Sequence, residues 1–112
     1  TGSGGLTLSG AFQGNYRHIA IDKVTASAGD YILGVNVGNV RTDLRLPSAA
    51  AVGRGGVVIV KDEYPNNRTG GSAIHISASS GQTIDGASYY LLTGSMPAIH
   101  LYSNGATAWY VF

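Results

Sequence analysis

His75 and His100 each stand between apolar residues, in "AIHIS" and "AIHLY". Read as strands, these stretches put His75 opposite Ile74 and Ile76, and His100 opposite Ile99 and Leu101. Two imidazoles paired across strands, or repeated about a symmetry axis, could hold a metal; the plainer reading is half-exposed or interface histidines. A second group is Tyr64, Asn66, Asn67 and Arg68 in "YPNNRTGG", the most polar long loop. A flat ring beside amide and guanidinium groups suits the hydroxyls or acidic groups of a surface ligand, against a plain solvated turn. Asn67-Arg68-Thr69 also fits the N-x-[ST] glycosylation acceptor, which matters only in a eukaryotic secretory setting. Asp62 and Glu63 are the adjacent carboxylates, and strand neighbours point to opposite faces, so they do not easily flank one glycosidic bond as acid and nucleophile. No G-x-S-x-G, G-x-x-x-x-G-K-[ST], H-E-x-x-H or acidic calcium loop occurs. The "GRGG" at 53–56 lacks the helix and Lys of a phosphate cradle. The expectation is a noncatalytic domain without cofactor.

The elements that position these groups read as strands throughout. "LTLSGAF", "RHIAIDKV", "DYILGVNV", "VRTDLRL", "VVIVKDE", "SAIHISA", "ASYYLL", "PAIHLYS" and "TAWYVF" alternate or run apolar between turn residues. In "VRTDLRL", Val40, Thr42, Leu44 and Leu46 share one face and Arg41, Asp43 and Arg45 the other. "VVIVKDE" reads as a fully buried strand emerging into charge, and "SAAAVGRGG" as a loop. Asp22, Asp30, Asp43 and Asp85 fall at strand ends and turns, where carboxylates cap backbone N–H groups. Asn104-Gly105 between two apolar arms predicts a closing hairpin. Its last strand is apolar on both faces, so it belongs inside a sheet or against another subunit. Eight to ten short strands without helical periodicity favour an all-β fold, a β-sandwich, jelly roll or barrel.

Composition sets the limits. The 112 residues make one domain, with a lead-in at 1–14 that includes a linker-like "TGSGG" and a β-sandwich at 15–112. Without Cys there is no disulfide framework, Cys-based zinc site or thiol nucleophile. The net charge of +1 gives no basic surface that argues for nucleic acid. Only 12% of residues are charged while 44% are hydrophobic, which predicts that a partner chain covers some of the surface. The apolar runs are too short for a transmembrane segment. The chain starts without Met or a signal peptide, and reads as a fragment or a processed C-terminal piece.

Four pieces in order resemble the C-terminal knob or head domain of bacteriophage tail fibre, spike and tail-needle proteins. They are "LPSAA" at Leu46 to Ala50, the strand end at Lys61 to Glu63, "GQTIDGA" at Gly81 to Ala87, and the final "LYSNGATAWYVF". Together they span about residues 30 to 112; Asn104 stands where an Asp often precedes the Gly, and "YPNNRTGG" is insertion-like. The resemblance implies a TNF-like trimeric knob, with the C-terminal strand in the inner sheet and Tyr102, Trp109, Tyr110 and Phe112 at the trimer interface. It further implies a virion location at the distal tip of the appendage, with a host cell-surface glycan or outer-membrane component as partner. The alternative it leaves is a trimerisation or folding cap of a tail needle, acting in envelope penetration without receptor affinity. A glycan hydrolase is the third and weakest reading, since no carboxylates face each other across a groove.

Overall fold

The period of two in the sequence becomes two facing sheets in the computed structural model, which describes residues 14–38, 40–65, 67–68 (backbone only) and 72–112. The elements are β1 (Tyr16–Ile19), β2 (Lys23–Thr25), β3 (Ile32–Val35), β4 (Thr42–Arg45), the one-turn helix α1 (Ala49–Val52), β5 (Val57–Asp62), β6 (Asn67–Arg68), β7 (Ile74–Ser77), β8 (Thr83–Ile84), β9 (Tyr89–Leu92), β10 (Gly94–Ser95), β11 (Ala98–Ser103) and β12 (Ala108–Val111). Twelve strands are formed among the described residues, more than the expected eight to ten because β2, β6, β8 and β10 are pieces of two or three residues; the all-β expectation holds. A six-stranded sheet runs β1-β3-β5-β11-β12-β8, a four-stranded sheet runs β2-β4-β7-β9, and β6 pairs with β10 apart from both.

The wiring of the first half differs from a jelly roll, whose strands are antiparallel. From β1 to β4 the chain lays strands alternately on the two sheets, and β5 and β7 continue the alternation. β1, β3 and β5 therefore stack in parallel on one side, and β2, β4 and β7 in parallel on the other. Parallel neighbours need a crossover, and here each crossover includes a strand of the opposite sheet. In the second half β11 joins β5 to β12 and β9 closes on β7 in antiparallel pairs, while β8 adds to β12 in parallel.

The expected strand "RHIAIDKV" is in fact two, β1 and β2, because the chain leaves one sheet for the other at Ala20–Asp22. The crossing breaks the parity of the alternation: Ile19 and Val24 both face the core, although an unbroken strand would oppose them. "SAAAVGRGG" is not wholly loop. Ser103 Oγ donates to the Ala49 carbonyl at 2.7 Å, and Gln82 Oε1 accepts the Ala49 N–H at 2.9 Å, which fixes the turn of α1 from outside. The expected strand in "LTLSGAF", the lead-in up to residue 13, and Asn39 lie outside the described residues.

The core lies between the sheets. Leu33, Val58, Val60, Ile99, Leu101 and Trp109 from the larger sheet meet Leu44, Ile74, Ile76 and Leu92 from the smaller one. Such interdigitating inner faces are the ordinary core of two packed sheets. Thr42, Leu44 and Leu46 are buried and Arg41 and Arg45 exposed, as the period of "VRTDLRL" requires, whereas Val40 at its start is exposed.

Candidate functional site

The Asn104-Gly105 hairpin closes the larger sheet, with a longer loop than a two-residue turn. Asn104 N–H donates to the Ala108 carbonyl, and its side-chain Oδ1 accepts from the N–H groups of Ala106, Thr107 and Ala108 at 2.9 to 3.1 Å. Only Gly105 takes positive φ, at 82°. β12 lies between β11 and β8, so it is not the sheet edge. Beyond β8, Asp85 Oδ1 accepts the Val111 N–H at 3.1 Å and continues the cover.

β11 and β12 sort the C-terminal aromatics to two destinations. Trp109 is 0% exposed in the core of the single chain, on the inner face with Leu101 and Ser103, so it has no surface to offer a neighbouring subunit. Its place in the expected interface is corrected accordingly. Tyr102 and Tyr110, both 39% exposed, and Phe112, 62% exposed, stand on the outside. Tyr102 lies 5.5 Å from Tyr110 and 5.6 Å from Phe112 by ring centroids, and Phe112 lies 5.6 Å from His100. Cross-strand register extends this cluster through Val57 and Ile59 of β5 to Ile32 of β3 and Tyr16 of β1.

At the far end of the same face, β1 brings Tyr16 and His18 against Glu63, which follows β5 and is remote from them in sequence. The Tyr16 hydroxyl stands 2.9 Å from both Glu63 carboxylate oxygens and donates its proton to them, while His18 Nδ1 lies 3.6 Å from Oε1. Gly34 lies beneath, where a Cβ would run into the Tyr16 hydroxyl and the carboxylate. The hydrogen bond to Glu63 is the main cause holding the Tyr16 phenol above its usual pKa of 10.0, with desolvation and the carboxylate charge adding to it. Nothing in the sequence links Tyr16, His18 and Glu63 beyond the shared parity of Tyr16 and His18, and only the β1-β3-β5 register unites them. Asp62, by contrast, is buried on the inner side and accepts the Tyr64 N–H at 3.0 Å, so the two adjacent carboxylates do face opposite ways.

Of the polar-loop residues, Tyr64 is half-buried directly after β5. The backbone of Asn67 and Arg68 forms β6, in register with Ser95 and Gly94, so part of this loop is strand. Asn66 and Thr69 lie outside the described residues. His75 and His100 are on the outer faces of different sheets and do not meet within the chain. Instead His75 stacks on Tyr89 at 4.6 Å and 16°, with Nδ1 3.8 Å from Asp43 Oδ1. Among the described residues no group of three or more His, Asp or Glu converges as a metal site, and no pocket opens. Asp30 caps as expected, accepting the Ser27 N–H at 2.8 Å while pairing with Arg17 at 2.9 Å; Asp43 pairs with Arg41 instead. Comparison with known protein families, with curated proteins and with solved structures returned no match in any of the three.

Proposed function

We propose that this chain is a noncatalytic attachment domain at the distal tip of a bacteriophage tail fibre, spike or needle. In this reading three copies assemble through the outer face of the six-stranded sheet, and each contacts a host-surface glycan or outer-membrane component. The observation that carries the assembly is the apolar outer face. "VVIV" in β5 is the kind of run that belongs to a strand covered on both sides. Yet within one chain Val57 and Ile59 are only half-buried, beside the exposed Tyr102, Tyr110 and Phe112. A contiguous aromatic patch of this sort marks an interaction surface. Covering what remains exposed of each large ring adds about 1–2 kcal/mol per chain. From the resemblance the reading takes an all-β, two-sheet, trimeric tip and does not need jelly-roll wiring.

Light scattering across a dilution series tests it: the expected mass is near three times 11.5 kDa, reduced to one chain by Phe112→Asp. A wild-type protein that stays monomeric sinks the assembly. Saturable binding to host cells then separates attachment from a trimerisation cap without receptor affinity.

A further inference from the structure

We infer that the outer face of the four-stranded sheet is a binding platform for an acidic polysaccharide, a host-surface strand carrying sugar carboxylates. The inference rests on the attachment reading and names the ligand class and the place where it sits.

Two registered rows make the platform. Lys23, Asp43, His75 and Leu91 form one, and Thr25, Arg45, Ser77 and Tyr89 the other. All eight point away from the core, since Val24, Leu44, Ile76 and Leu92 of the same strands pack inward. The outer faces of the two sheets thus differ in kind, one aromatic and apolar, the other cationic with a single aromatic stack. Three of the chain's seven Lys and Arg lie on or beside this platform, Lys23, Arg41 and Arg45, against two of its six Asp and Glu, Asp22 and Asp43. The remainder of the chain is left with four cations and four carboxylates, so the net positive charge of a nearly neutral protein lies here.

The groups are also arranged for work on a sugar. Tyr89 is 48% exposed, and His75 covers one of its ring faces at 4.6 Å and nearly parallel, which leaves the other for the C–H face of a pyranose to lie against. Across Ser77, two strands or roughly 10 Å from Tyr89, stands Arg45. Among the described residues neither Arg45 nor Lys23 has an ion-pair partner. A guanidinium in that position engages a carboxylate with two parallel hydrogen bonds. Asp43 Oδ1 is held by Arg41 at 3.0 Å, which leaves Oδ2 to accept from sugar hydroxyls. Charge decides against a neutral glycan, and the aromatic stack decides against a plain anion.

The test titrates the intact protein with oligogalacturonate, with a neutral maltooligosaccharide of equal length, and with single-stranded DNA. Oligogalacturonate is expected to bind, more weakly as salt rises, and the other two at least roughly tenfold more weakly. Arg45→Ala and Tyr89→Ala, both at exposed positions, each lower the affinity for oligogalacturonate by at least roughly tenfold, while Thr107→Ala at the exposed C-terminal hairpin leaves it unchanged. Tyr89→Phe retains binding. No binding by the wild type, equal binding of DNA, or unchanged binding by both alanine variants overturns the inference. Host-cell adsorption tells the two claims apart. Cells bound equally by wild type and by the Arg45→Ala/Tyr89→Ala double variant overturn the platform and leave attachment standing; cells not bound by wild type overturn both.

Discussion

Gly105 illustrates how one backbone angle controls the end of the chain. At φ 82° an L side chain is strained, and a Cβ there would stand 2.9 Å from the Arg54 backbone nitrogen, which cannot move aside as a side-chain tip can. Gly105→Ala is therefore expected to destabilise the protein by about 1–3 kcal/mol. On a domain of this size that lowers Tm by roughly 5–15 °C, as differential scanning calorimetry would register. Tyr16 makes a pH prediction. Its folded pKa is raised, so the stability due to the Tyr16 to Glu63 bond is complete below pH 10.0 and is lost as pH climbs through the higher folded value. Following Tm from pH 8 to 11 should show a steeper alkaline decline for wild type than for Tyr16→Phe; equal slopes would contradict the bond. The phenol is at the surface, so the difference is small and is read as a slope.

At the scale of elements, the hairpin, α1 and the "GQTIDGA" turn form one connected unit. Ser103 Oγ, fully buried, donates to the Ala49 carbonyl and accepts the Gly105 N–H at 2.9 Å, and Gln82 from the turn before β8 caps α1 from the other side. Ser103→Ala takes the acceptor from the part-buried Gly105 N–H and one of two donors from the Ala49 carbonyl, which keeps the Gly53 N–H at 3.0 Å. It should cost about 1–3 kcal/mol, seen as a lower urea midpoint at unchanged m. A serine that merely filled space would show no such loss. The helix exists for this reason rather than for its own propensity, since one turn is too short to be stable alone.

At the scale of the molecule, the two sheets divide the labour between a shared dry interior and two unlike exteriors. The single Trp reports on the first and is independent of the second. In the proposed trimer, Phe112→Asp is expected to part the subunits while Trp109 emission stays blue-shifted and shielded from iodide, because Trp109 is buried by its own chain. Emission that shifts red with the fall in mass would mean that the core opens when the subunits part, and would move Trp109 back to the interface.

What the sequence by itself determined were the properties that depend on near neighbours. The parity of Thr42, Leu44 and Leu46 against Arg41 and Arg45, the outward placing of His75 and His100, the opposed Asp62 and Glu63, and the hairpin at Asn104 all follow from a period of two or from a turn residue. Only the tertiary structure decided which sheet each strand joined. Alternation says that a strand has a core face, but it does not say against which partner, and a chain that crosses between sheets at Ala20–Asp22 resets the parity without any strong breaker residue to mark it. The same holds for the surfaces. Tyr16, His18 and Glu63 meet because β1, β3 and β5 stack in parallel, and Arg45 lines up with Tyr89 because β7 lies between β4 and β9. Trp109 and Tyr110 are adjacent apolar aromatics whose opposite destinations become distinct only when a second sheet covers one of their two sides.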